Sequence, residues 1–367
     1  MEAVTPSHLF AVAALILFAA APAFPQQPDA HATVTVGTAT ATRGQLAYGV
    51  IRIPAAMDSA TVLPVAVVNG ARPGPVVALV AGSHGTEYTS IVALTRIIGR
   101  LDPRTISGTV IVAPLLNVAS FTQMIVHVNP IDGKGMNGQY PGDPAGTQTQ
   151  RALAAVADQI VKPADVVIDL HGGDLDEDLR PYSYWFRGGQ AGQDSASRAL
   201  ALAFGLDHII VRDFDLSDAA SRRNLGGYAM SLGKTVLVAE AGRSGTTEPE
   251  DLRLLMDGVL NVLGALRMIE RPVRPVAHPV WLDASTRLAA DSAGMFFATV
   301  GRGAHVAEGA VVGYTTDYLG RRTGEVRSPV AGVVTFIRGV PSTWKGATLA
   351  VIGRVLVGVP PYRKPGS

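Results

Sequence analysis

Three segments of the chain place residues able to bind a metal or move a proton where an apolar run ends. The run Val76 to Val80 leads into Gly82-Ser83-His84-Gly85-Thr86-Glu87, "DVVIDL" leads into His171-Gly172-Gly173-Asp174, and "TVLVA" leads into Glu240-Ala241-Gly242. His84 and Glu87 straddle the start of a helical stretch, where an i, i+3 pair can face one side. With His171 they make a set of two imidazoles and one carboxylate. A catalytic zinc site has this form, three protein ligands and a fourth position open to water. Glu240 would then be a carboxylate close to the metal but outside its ligands, suited to take a proton from that water. Asp169, two residues before His171, shares its face of a strand and could fix the imidazole tautomer. The neighbouring glycines let backbone and substrate approach closely. Each piece alone also fits a plainer role, since His-x-x-Glu is common at solvated helix starts and a Glu after a strand is a usual helix-start charge. It is the three together, in glycine-rich settings, that point to a metal.

The elements that must position these residues are legible as texture. From Pro75, short continuous apolar runs ("PVVALVAG", "GTVIVAPLLN", "DVVIDLHGG", "HIIVRDF", "TVLVAEAG") alternate with helix-like stretches at Thr89–Leu101, Gln148–Ile160, Ser195–Ala203 and Pro249–Ile269. Buried strands alternating with helices predict an α/β layer with a largely parallel core, and ligands gather at the carboxyl ends of such strands. Before it, the period-two stretch from His31 to Ala55 reads as antiparallel strand and hairpin. "RPVRPVAHPV" is a proline-punctuated linker, and Val280 to Gly358, glycine-rich with short β runs, reads as a smaller separate β domain.

Bulk properties narrow the class. The chain has 367 residues, 47% hydrophobic and 17% charged, with a net charge of +1, so no basic field points to nucleic acid. It has no cysteine, which excludes disulfides and leaves His, Asp or Glu to hold any metal. Leu9 to Phe24 is an apolar segment ending in small residues, with Ala21-Pro22-Ala23 resembling a cleavage site. It predicts a signal peptide over 1–24 and an exported protein, periplasmic or secreted; the absence of Lys or Arg before it leaves an uncleaved anchor as the rival. No later segment is long and apolar enough to span a bilayer, so no stable span is expected once the leader is removed.

With these residues in view, the chain resembles the succinylglutamate desuccinylase/aspartoacylase family, related in fold to zinc carboxypeptidases. "GSHGTEY" is similar to the family's first metal motif, "DLHGGD" to the second and "VAEAG" to the segment with the catalytic glutamate. "NPIDGKGMNGQYPG", Asn129 to Gly142, resembles its substrate-binding loop, and the match runs from roughly Val34 to the C-terminus. The resemblance implies one Zn²⁺ on His84, Glu87 and His171, Glu240 as general base and acid, and hydrolysis of an amide or ester in an N-acyl or related small compound. It implies a zinc-carboxypeptidase-like α/β domain over 33–272, with a mixed, largely parallel sheet flanked by helices. A C-terminal all-β, barrel-sandwich-like domain follows over 280–358. Asn137, Asp132, Tyr140 and Arg180 are its candidate substrate-binding residues.

Two positions depart from the family pattern. Gly138 stands where an arginine clamps a substrate carboxylate, and a second arginine, for the oxyanion, falls at or near Val126. Neither Gly nor Val supplies a guanidinium, so Asn137, His127, Arg180, Arg187 and Arg243 become the alternative donors. Asp132 also fits a turn, since "PIDGKG" is full of turn formers. The acidic run Asp174, Asp176, Glu177, Asp178 reads as a solvated loop, one member of which could position substrate. The segment "YTTDYLGRRTGE" contains no lysine, which argues against a lipoyl- or biotinyl-carrier role for the β domain. Two readings compete with a deacylase: a carboxypeptidase-like peptidase acting on peptide or cell-wall fragments, and a non-catalytic metal- or ligand-binding protein. Homo-oligomerisation is left open.

Overall fold

The computed structural model describes residues 31–283 and 286–362. The leader at Leu9–Phe24 lies outside them. An N-terminal hairpin pairs β1 (Thr33–Val36) with β2 (Ala39–Thr42). Next come β3 (Gln45–Ile53), β4 (Thr61–Asn69), β5 (Arg72–Ala81), α1 (Tyr88–Ile98), β6 (Ser107–Ala113), α2 (Val118–Gln123) and α3 (Gln148–Val156). They lead to β7 (Val166–His171), β8 (Glu177–Arg187), α4 (Ala191–Phe204), β9 (His208–Asp213), α5 (Leu225–Ser231), β10 (Thr235–Arg243) and α6 (Pro249–Ala265). The C-terminal strands are β11 (Val280–Leu282), β12 (Thr286–Ala289), β13 (Gly294–Ala298), β14 (His305–Val306), β15 (Val311–Thr316), β16 (Arg322–Arg327), β17 (Gly332–Arg338), β18 (Ser342–Thr343) and β19 (Thr348–Gly353).

The main sheet runs β12-β19-β17-β8-β10-β7-β5-β6-β4-β3. Its centre, β10-β7-β5-β6, is parallel, and antiparallel strands flank it on both sides. Buried on both faces, β5 and β7 need apolar side chains throughout, which is why they read as continuous runs. Alternate residues of β5 feed two cores. Val77, Leu79 and Ala81 pack with α1, α4 and α6, whereas Val76, Ala78 and Val80 pack with α3 and α5. Each fully buried Val or Leu here stabilises the fold by about 1.5–3 kcal/mol.

The helices start and stop for local reasons. Pro249 opens α6 with Glu250 and Asp251 in its first turn, where acidic groups favour the helix dipole. A capping box of Thr147 and Gln150 opens α3, and a π-helical turn at Ala157–Val161 continues it. The C-terminal strands close around a small core of their own, built by Phe296, Val312, Val334 and Ile352 among others. That region is nevertheless hydrogen-bonded into the main sheet, because β17 pairs antiparallel with β8, Phe336 opposite Leu179. Beyond the linker at Arg271–Val280, β12, β17 and β19 belong to the main sheet, while β13, β15, β16 and β18 form a four-stranded sheet of their own. No helix among the described residues is long and apolar enough to cross a membrane.

Candidate active site

Adjacency of β5, β7 and β10 brings the three motifs together. In the parallel β10–β7 pair Glu240 is the Cα partner of His171, and Ala81 on β5 is opposite Leu170. After Ala81 the chain turns through Gly82, at φ +67°, where a Cβ would approach Leu115 Cα to 2.9 Å. Gly85 lies still closer to its surroundings, since a Cβ there would sit 2.3 Å from Phe121 N. These glycines fold the loop tightly enough to return His84 and the N-cap residue Glu87 over the end of β7.

Glu87 is the hub. Its Oε1 lies 2.6 Å from His84 Nδ1 and its Oε2 3.0 Å from His171 Nδ1. Gly172 N donates to the same Oε2 at 3.1 Å. Burial alone would raise the Glu87 carboxyl, but the two imidazoles outweigh it and hold the group well below the usual carboxylate range. Burial would likewise lower His171, and the carboxylates of Asp169 and Glu87 reverse that and lift it well above its ordinary value. Asp169 Oδ2 lies 3.1 Å from His171 Nε2. It thereby occupies that nitrogen and leaves Nδ1 to face a metal. One atom from each of His84, Glu87 and His171 lies within 4.8 Å of the others. Two imidazole nitrogens and one carboxylate oxygen, with no thiolate, suit a borderline divalent cation.

Beside this set stands Glu240. Tyr182, its cross-strand partner on β8, donates its hydroxyl to Glu240 Oε2 at 2.6 Å. Burial raises the Glu240 carboxyl above its ordinary value, against the pull of His171. A cavity of about 410 Å³ opens in front, lined by His84, Glu87, His171 and Glu240, with Asn137, Tyr184, Arg212 and Arg223 on its walls.

The other candidates are placed as follows. Asn137 lines the cavity with Gly138, where a Cβ would meet nothing within 4 Å, so the missing arginine leaves open room. Asp132 is not on the wall. Its carboxylate accepts from Thr149 N and Thr149 Oγ1, both at 2.9 Å, and from Lys134 N at 3.1 Å, tying a turn to the start of α3. Asp132→Ala should therefore cost about 1–2 kcal/mol in a denaturant melt, the usual size of a lost helix-start acceptor, and leave KM for an accepted substrate unchanged.

Tyr140 is buried behind the site, stacked on Tyr228 at 5.9 Å, and shapes the loop without touching the cavity. Arg180 is turned away, its guanidinium held by Asp207 at 2.6 and 2.7 Å and beside His208. Arg187 is bound to Asp213, and Arg243 lies 3.4 Å from Asp178. None of these three arginines lines the cavity.

His127, at φ +63°, stands edge-on to His84 with ring centroids 5.5 Å apart and lies 3.4 Å from Asp174 Oδ2. It also groups with Asp176 and Glu177 within 4.8 Å, but Asp176 is already paired with Arg338 at 2.7 Å. The acidic run is thus no solvated loop. Asp174 is fully buried, Asp178 pairs with Arg302 at 3.3 Å, and Glu177 reaches the cavity wall.

Sequence reasoning missed Arg212, Arg223 and the Tyr182/Tyr184 pair. Alternation in "PYSYWF" was a signal for the tyrosines, since residues two apart on a strand share a face. Arg212 lies next to the last residue of β9. Arg223 comes from a short 3-10 turn with no pattern to mark it.

The succinylglutamate desuccinylase/aspartoacylase catalytic-domain model matches residues 73–266. The chain belongs to the succinylglutamate desuccinylase/aspartoacylase family. Among curated proteins, the N-alpha-acetyl-L-2,4-diaminobutyric acid deacetylase of Halomonas elongata is 30% identical over 326 residues, covering 84% of this chain and 92% of that protein. A family member from Rhodobacter sphaeroides has a crystal structure with TM-score 0.75 and 25% identity, covering 85% of this chain and 96% of the other. The product-bound ectoine utilization protein EutE of Ruegeria pomeroyi shares the fold, with TM-score 0.77 and 22% identity over 84% of this chain and 95% of its own. The family is one of deacylases acting on N-acyl amino acids.

Proposed function

We propose that this chain is an exported, zinc-dependent deacylase that cleaves the amide bond of an N-acyl amino-acid-like small compound. The observation that carries the reading is the placement of Glu240 directly beside His171, with His84, Glu87 and His171 converging on one point. Export rests on the leader at Leu9–Phe24. A cation held by the three ligands would polarise the scissile carbonyl and make a bound water more acidic.

The protein's own groups do the rest. Tyr182 occupies Glu240 Oε2, so Oε1 is the atom that accepts the water proton and returns it to the amide nitrogen. The raised affinity of this buried carboxyl for a proton suits both steps. Arg212, Arg223 and Asn137 line the cavity that would take the amino-acid half, and guanidinium groups there suit its carboxylate. The Halomonas relative's substrate, an N-acetylated amino acid, has this shape.

The test is a panel of N-acetyl amino acids, simple esters and dipeptides, together with metal analysis. The expected result is about one transition metal per chain after reconstitution and turnover confined to N-acyl amino acids. Turnover of dipeptides alone would instead favour a peptidase. A metal-loaded protein inert on the whole panel would leave only a binding role.

A further inference from the structure

Glu240 owes its aim to an irregularity in the sheet. Between the pairs Glu240–Tyr182 and Gly242–Leu179, two residues of β8, Arg180 and Pro181, oppose the single Ala241 of β10. Such a bulge bends its strand and re-aims the neighbouring side chains, and Pro181 has no N–H to tie it down. The β10 side has no slack. At Gly242, with φ +146°, a Cβ would stand 2.7 Å from Gly173 N and 2.8 Å from Thr89 Oγ1. Gly173 comes two residues after His171, and Thr89 two residues after Glu87. A shift of Gly242 is therefore felt at Glu240 and beside two of the three ligands.

The C-terminal strands close this bulge from outside. Arg302 lies in the turn between β13 and β14. That turn is fixed to β17, with Gly303 N donating to Val334 O at 2.8 Å and Val334 N to Ala304 O at 2.9 Å. Arg302 Nη1 donates to Leu179 O at 2.9 Å and to Gly242 O at 3.3 Å, the two residues paired at the end of the bulge. The guanidinium also holds Asp251 of α6, which is 1% exposed, at 3.1 and 3.4 Å, and its Nε lies 3.3 Å from Asp178 Oδ1. One side chain thus joins β8, β10 and α6 where Glu240 is set, and it lines no cavity at the site. We propose that Arg302 is a positioning residue for Glu240, fixing the Leu179 and Gly242 carbonyls and with them the bulge that aims the Glu240 carboxylate. The inference rests on the deacylase reading above, in which Glu240 moves the proton.

The experiment measures kcat, KM, bound metal and melting temperature with one N-acyl amino acid accepted in the panel. Arg302→Lys keeps a positive charge beside Asp251 but lacks the planar fork that spans two carbonyls and two acids. Its kcat should fall at least about tenfold, as for a slightly misplaced group, with KM within about twofold and metal content unchanged. Asp251→Asn is the control, since it weakens the hold on α6 and leaves both carbonyl bonds in place. It should melt earlier than the unaltered protein and keep kcat within about twofold. If Arg302→Lys does not fold, Arg302→Met combined with Asp251→Asn removes every donor without leaving an unpaired acid on α6, and it should show the same loss of kcat. A kcat within about twofold in the Arg302 variants, an equal loss in Asp251→Asn, or a loss explained by higher KM or missing metal would overturn the positioning role and leave the deacylase reading standing. An unaltered protein inert on the whole panel would overturn both.

Discussion

Glu240→Gln is expected to lower kcat on the order of 10³-fold, the usual worth of a positioned acid–base group, with metal content unchanged. Glutamine has the same shape and can still accept the Tyr182 hydroxyl, so packing and the cross-strand pair survive. What it cannot do is take a proton. Glu240 is not one of the three converging ligands, so the variant should bind as much metal as the unaltered chain. Metal analysis and single-turnover kinetics on the same sample separate the two effects. A variant that keeps more than about a tenth of the rate would show that another group moves the proton.

Loss of a ligand should be as severe for a different reason. His171→Ala removes one of three donors and strips Glu87 of a partner 3.0 Å away inside a buried site. Activity at micromolar zinc should fall at least about 10³-fold, bound metal should fall below what can be measured, and the melting temperature should drop. Chelation of the unaltered protein should abolish turnover, and zinc should restore it.

The chelated protein also has a defined pH response. Glu87 is depressed in the folded state, so its contribution to stability is present above its ordinary 4.5 and lost as pH falls. His171 is raised, so its contribution is full below its ordinary 6.5 and lost as pH rises through the elevated value. Metal needs neutral imidazoles, so its stabilisation grows in the same direction. The gap in melting temperature between zinc-loaded and chelated protein should therefore widen as pH rises above 6.5. Calorimetry across that range checks it, and a constant gap would mean that these side chains do not hold the ion.

The readable parts of this molecule were those governed by local rules. Strands buried on both faces must be apolar throughout, and polar residues at their ends then stand out, so His84, His171 and Glu240 were visible as a group. Helix extents followed from periodicity and caps, with α3 and α6 beginning at Gln148 and Pro249 as expected. The sequence could not show what depends on long-range pairing. Asp132 is a turn-former whose carboxylate is used by a helix seventeen residues away. Arg180 was a plausible donor until its strand's orientation turned it toward Asp207. The acidic run looked solvated because its partners, Arg302 and Arg338, lie more than a hundred residues later. Arg212 and Arg223 have no motif at all and reach the cavity only through tertiary placement.

The seam between β17 and β8 has a consequence for how the molecule can be cut. A chain ended at the linker near Arg271 would not yield a free-standing catalytic core. It would bare the backbone amides and carbonyls of Glu177–Leu179 that β17 now covers, and with them the carboxylate of Asp176 would lose Arg338 and that of Asp178 would keep only Arg243 of its two arginines. An open strand of this kind is a template for pairing with other chains. Such a fragment should be recovered as aggregate, and the later strands are the cover that closes the edge of β8 at that side.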